Sequence, residues 1–150
     1  MRARGTRAGA GLVVVLLLLV GLAGCGRLSK KDYIKKADAI CRETNAVVAK
    51  KPVPKKTDIR ATAEYLRDNA QLLTDQANRI DKFKPPKKDQ PRLHDVWNRQ
   101  RDALAQLTTA ANQFQIGDTD VAQATANNAD TALGTVKEDL QGYGFQDCAA

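Results

Sequence analysis

The chain has 150 residues, 43% of them hydrophobic and 27% charged, with a formal net charge of +7 and a single histidine. That length supports one domain of ordinary size and excludes a two-lobed clamshell around a ligand. The residue inventory excludes the grouped His, Cys, Ser and carboxylate sets on which catalytic sites are built.

Arg2, Arg4 and Arg7 precede an apolar run from Leu12 to Val20, and small residues follow it. This is the order of a secretory signal peptide. A membrane-spanning helix needs about 20 apolar residues, and the stretch from Ala10 to Ala23 is shorter than that before Cys25, Gly26 and Arg27 interrupt it. The run closes on Leu22-Ala23-Gly24-Cys25, which resembles the bacterial lipobox, the signal that attaches lipid to a cysteine. The resemblance covers residues 1 to 25 and implies that residues 1–24 are removed, leaving Cys25 as a diacylglyceryl-bearing N-terminus. It implies anchorage on the outer face of the cytoplasmic membrane, with membrane lipid as the partner of the acylated Cys25. Two acyl chains suit stable anchoring, each buried methylene contributing about 0.8 kcal/mol. No Arg-Arg pair marks the twin-arginine route, so general secretion is expected.

Removal of residues 1–24 takes three arginines and no acid, so +7 becomes +4. Residues 27–60 hold eleven Lys and Arg against four acids, whereas residues 118–150 hold Lys137 alone against six. The two ends of the domain should attract. With Cys25 assigned to lipid, Cys41 and Cys148 remain, and an even remainder in a secreted chain invites a disulfide. The alternative is two free thiols. Zinc is disfavoured because two cysteines and His94 do not make four ligands at a recognised spacing.

Residues 25–29 read as the lipidated cysteine and a tether, and residues 30–150 as the helical domain. Ser29 with Asp32 three residues on makes a capping-box-like start. Tyr33, Ile34, Ala37, Ile40, Cys41, Thr44, Val47 and Val48 then recur at steps of three and four, predicting a helix from about residue 30 to 50. Pro52 and Pro54 cannot continue it, so residues 50–56 form a semi-rigid linker. Thr57 or Asp58 caps a second helix whose positions Ile59, Ala63, Leu66, Ala70, Leu73, Ala77 and Ile80 keep a/d spacing, ending at Phe83-Lys84-Pro85-Pro86. Asp89, as cap, and Pro91 open a third helix with the stripe Leu93, Trp97, Leu104, Leu107, Ala111 and Phe114, broken at Gln100 and stopped at Gly117. The fourth starts near Asp118 or Thr119 and uses Ala122, Ala126, Ala129, Leu133, Val136, Leu140 and Tyr143. Gly134 weakens it by roughly 1 kcal/mol relative to Ala, and Gly142 and Gly144 free the tail to turn toward Cys41.

No strand pattern occurs, so the expected fold is all-α: an up-down-up-down four-helix bundle closed by one disulfide. In that topology the N-terminus, the second loop and the C-terminus share one end. Lys30, Lys31, Lys35, Lys36, Lys84, Lys87 and Lys88 would then form a basic collar facing the bilayer, each charge near an anionic surface contributing about 1 kcal/mol. Ordinary solvated lysines are the alternative. Nucleic acid is excluded as a partner by export and by the lack of aromatic-basic interleaving. His94 reads as a surface residue, Trp97 and Phe114 as core, and Asp118-Thr119-Asp120 as capping, because the Gly and closing Glu of a calcium loop are missing.

The segment Asp32-Tyr33-Ile34-Lys35-Lys36-Ala37-Asp38-Ala39-Ile40-Cys41 and the close Tyr143-Gly144-Phe145-Gln146-Asp147-Cys148 also resemble a loose group of actinobacterial secreted or lipid-anchored helical proteins. That resemblance implies location, fold and the cysteine pair, and no activity. The function expected is a non-enzymatic binding or structural module at the cell envelope, without cofactor, metal or catalytic residue. The alternative is a small solute-binding or sensory component, with a pocket lined by Trp97, Leu104 and Leu73.

Overall fold

The computed structural model describes residues 26–55 and 57–150. The signal segment and Cys25 lie outside the described residues. Four helices make the domain: α1 (Lys30–Val48), α2 (Ile59–Ile80), α3 (Gln90–Gln115) and α4 (Thr119–Tyr143). Among the described residues there is no strand. Short loops make sequential neighbours antiparallel, and the fold is the four-helix bundle that the periodicity predicts.

Two of the expected caps form. Ser29 Oγ accepts from the Asp32 amide at 3.1 Å and donates to Asp32 Oδ2 at 2.6 Å, and Asp58 accepts from the Ala61 amide at 3.0 Å. Asp89 and Asp118 make no side-chain cap bond, against the expectation that acids open α3 and α4 in this way. Asp89 is diverted to a tertiary partner, since its carboxylate accepts from the Tyr143 hydroxyl at 2.8 Å. That bond ties the loop between α2 and α3 to the last turn of α4.

Both α3 and α4 end on a glycine in the left-handed region, Gly117 at φ +86° and Gly144 at φ +113°. After Gly144 the Phe145 amide reaches back to the Leu140 carbonyl at 3.1 Å and the Gly144 amide to that of Gln141 at 3.0 Å. This is the six-to-one and five-to-two pattern of a Schellman ending, and it turns the chain back on itself. A side chain at Gly144 would be strained by that φ and would meet Ile34 Cδ1 at 3.4 Å.

Helix α3 packs along both α2 and α4, while α1 packs on α2. No Cα of α1 comes within 8 Å of one in α4, so the fourth side of the bundle is open. Residues 144–150 occupy that opening at one end. Phe145, 2% exposed, stands edge-on to Tyr33 and Trp97 with centroids 6.1 and 5.9 Å away, and stacks on Tyr143 at 5.5 Å. Ile40, Ile80, Leu93, Val136 and Leu140 complete this cluster. The tail therefore does more than carry a cysteine, because it supplies the aromatic centre of the larger core.

A second cluster at the far end is built from Ala63, Ala111, Phe114 and Ala122, with Ile59 and Leu66 packed beside it. Between the clusters α2 and α3 bury Asn69, Gln76 and Gln100. Leu104, Ala70 and Ala103 are buried beside them, so the core is two apolar clusters joined by a stretch in which polar and apolar side chains mix.

Candidate functional site

The tether is seated on the bundle rather than free of it. The Leu28 amide donates to the Lys84 carbonyl at 2.8 Å, and Arg27 Nη1 donates to the Pro85 carbonyl at 3.1 Å and to Gln90 Oε1 at 2.7 Å. Leu28 packs against the aromatic cluster. The chain just after Cys25 is therefore held at the end formed by the α2–α3 loop and the last turn of α4.

The predicted lysines lie on this end. Lys30 Nζ sits 4.3 Å over the Tyr143 ring and Lys36 Nζ 5.5 Å over the Phe83 ring. Lys84, Lys87 and Lys88 are exposed on the loop, and Lys31 and Lys35 are exposed on the first turns of α1. Seven ion pairs occur among the described residues, and none of them uses a collar lysine. Nearby acids are engaged within the protein: Asp32 by Ser29, Asp81 by Arg101 at 2.6 Å, Asp89 by Tyr143. The seven collar lysines outnumber these three acids, so this end carries a net positive charge.

Cys41 and Cys148 are joined, with Cα atoms 5.0 Å apart and a sequence separation of 107. Around the bridge the tail is held by polar groups that the helical periodicity does not single out. Asp38, 7% exposed, accepts from the backbone amides of Gln146 at 3.1 Å and Cys148 at 3.0 Å. Asn45 Nδ2 donates to the Asp147 carbonyl at 2.8 Å, and Arg42 pairs with Asp147 at 2.6 Å. The attraction expected between the basic and acidic ends thus resolves into one ion pair. Asp38 had a sequence signal: it stands three residues before Cys41, on the same helix face, where a carboxylate must find donors if it is buried.

The two buried tyrosines hold their protons tightly. Burial pushes the Tyr33 hydroxyl up to about 12, its bond from Trp97 Nε1 at 3.0 Å offsetting this only in part. Burial raises Tyr143 as well, and the bond to Asp89 raises it further. Neither is a nucleophile or base near neutral pH. His94 is exposed and hydrogen-bonds Asn98 at 3.1 Å. Among the described residues no cluster of His, Cys, Asp and Glu has the geometry to hold a metal, and no helix is long and apolar enough to cross a membrane.

None of the cavities described here is lined by Trp97, Leu104 and Leu73 together. Trp97 faces a shallow cavity beside Tyr33 and His94, Leu104 is closed within the core, and Leu73 borders a different cleft. That different cleft lies on the open side of the bundle above the tail, with a volume of about 310 Å³. Its boundary includes Gln76 and Gln100, whose buried carboxamide oxygens have no hydrogen-bond partner among the described residues.

No protein-family model, curated protein or solved structure matches the chain.

Proposed function

We propose that the protein is a lipid-anchored extracytoplasmic module, held through an acylated Cys25 on the outer face of the cytoplasmic membrane, with a non-enzymatic binding or structural role at the cell envelope. The observation that carries this reading is Leu22-Ala23-Gly24-Cys25 closing the apolar run, two residues ahead of Arg27 and Leu28 on the bundle's basic end. A lipid at Cys25 would bring that end to the bilayer, where lysines outside the ion pairs of the described residues would meet anionic headgroups within a Debye length. A disulfide suits an oxidising compartment.

Intact-mass spectrometry of the membrane-extracted protein tests the reading. The expected species begins at Cys25, carries a diacylglyceryl mass, and exposes two alkylatable thiols only after reduction. An unmodified Cys25 would reject the anchor. For the collar, co-sedimentation of unlipidated protein with anionic vesicles should be strong at low salt and lost at high salt, and absence of binding at low salt would reject that orientation.

A further inference from the structure

We infer that the strap from Pro52 to Lys55 is a processing site for an endoprotease specific for basic residues, and that Cys41–Cys148 keeps the cut domain on its anchor until a dithiol reduces it. The cut and the bridge concern the chain with or without lipid. Release from a membrane rests on the lipid-anchor reading.

Three loops join the four helices, and one of them suits such an enzyme. The enzyme must draw extended backbone bearing a basic residue into its cleft, and nicking concentrates at exposed loops. The loop at residues 116–118 has no basic residue, and its Gly117 and Asp118 amides are hydrogen-bonded. The α2–α3 loop carries lysines but is folded, since the Asp89 and Gln90 amides both reach the Pro86 carbonyl and the tether is bonded to Lys84 and Pro85. Between α1 and α2 the Lys51 amide still reaches the Val48 carbonyl at 3.0 Å, and residues 52–55 then run without secondary structure. Pro52 and Pro54 have no amide hydrogen to give, and among the described residues the Val53 and Lys55 amides enter no hydrogen bond. Val53 is 78% exposed. The strap also has space on both flanks: Tyr65 of α2 borders a cavity of about 650 Å³ beside Val53 and another of about 310 Å³ beside Pro52.

The prolines also choose the bond. Lys51 is followed by Pro52, whose ring and missing N–H disfavour cleavage in front of it, and Lys51 Nζ is held by Asp68 at 3.0 Å. Lys55 is exposed and enters no ion pair among the described residues, so its ammonium is open to an acidic specificity pocket. Hydrolysis breaks the amide bond on the carbonyl side of Lys55, water supplying the hydroxyl of the new carboxyl group and a hydrogen of the new amine.

Covalent topology decides what the cut does. Residues 25–48 are joined to α2, α3 and α4 by two covalent paths, the segment at residues 49–58 and Cys41–Cys148. One cut therefore leaves two chains that stay together. Cys41 is fully buried, whereas Cys148 is partly exposed and borders the cleft on the open side of the bundle, so a reductant meets Cys148 first. Its thiolate attacks Cys148 Sγ and displaces the Cys41 thiolate, which takes up a proton; its second thiol then frees Cys148 and closes the reductant's own disulfide. With both paths gone, α1 keeps α2 and the tail as neighbours but loses the effective concentration that a covalent link confers, so dilution separates it.

The test is limited digestion of the membrane-extracted chain, disulfide intact, with trypsin as the probe, read by intact mass and by size exclusion with and without dithiothreitol. The first product is expected to be heavier than its parent by one water, cut after Lys55 or after Lys56, the next residue in sequence. It should run as one particle when oxidised and as two fragments when reduced and diluted. Lys55→Gln combined with Lys56→Gln should remove the early cut and leave the melting profile unchanged. On phosphatidylcholine vesicles the cut domain should sediment until dithiothreitol is added and then appear in the supernatant. A first cut anywhere else in residues 26–150 overturns the processing site, fragments that part without reductant overturn the role of the bridge, and fragments that stay together after reduction and dilution overturn the release. Uncut protein that fails to sediment reports loss of the lipid anchor instead, and the size-exclusion result stands apart from it.

Discussion

The two ends of the bundle are made of different material. At the tether end an aromatic quartet of Tyr33, Trp97, Tyr143 and Phe145 is packed among aliphatic side chains and fastened by Cys41–Cys148, Asp38 and Arg42–Asp147. At the far end Phe114 sits among alanines, while Val53 and Ile116 are 78% and 80% exposed. Alanine permits close helix approach but removes little surface from water, at about 25 cal/mol per Å². Stability is therefore concentrated at the tether end, and the far end is the one free to open.

Breaking the disulfide should reveal this asymmetry most strongly. Replacing both Cys41 and Cys148 by alanine opens a loop whose 107-residue span corresponds to about 4.7 kcal/mol in the chain-entropy model. Urea titration should show that loss, and hydrogen exchange should show the aromatic end falling toward the protection of the far end. Unchanged protection of residues 33–41 would mean that packing alone secures the tail.

Next in size is a pair of truncations. Phe145→Ala removes a 2% exposed ring from the centre of the aromatic cluster and should cost about 3–5 kcal/mol. Phe114→Ala removes an 8% exposed ring with smaller neighbours and should fall at or below about 3 kcal/mol. The reverse order, measured by chemical denaturation, would refute the division of the core.

The smallest effect is alkaline. Tyr33 has a folded-state value of about 12 against an ordinary 10, so the unfolded chain gives up this proton first. The stabilisation is complete below pH 10 and is lost as pH rises from 10 toward 12, by on the order of 2 kcal/mol. Tyr33→Phe should flatten that slope relative to the parent, with absorbance at the tyrosinate band following the ionisation. An identical slope in the variant would assign the decline to other groups.

Much of the fold was legible because periodicity is local. The stripe Ile59-Ala63-Leu66-Ala70-Leu73-Ala77-Ile80 predicts α2, and Pro91 and Gly117 mark the limits of α3 within a residue or two. The disulfide was legible by cysteine count once Cys25 was set aside as the expected lipid carrier. Asp89 as a cap was misleading, since Tyr143 outcompetes the helix amides only after the loop and α4 have met. The cleft was hidden for a similar reason: Gln100 reads as a break in a stripe and Gly134 as a weak point, and nothing local says that they face the same space.

What the sequence by itself determined is the set of helices, their antiparallel order and the cysteine pair. Only the tertiary structure decided that α1 and α4 stay apart, that Phe145 and the tail occupy one end of the gap, and that the rest of it is a cleft bordered by Gln76 and Gln100. Helix formation depends on residues three and four apart, whereas the fourth side of a bundle depends on how residues about a hundred positions apart meet, as Asp38 meets Gln146 and Cys148.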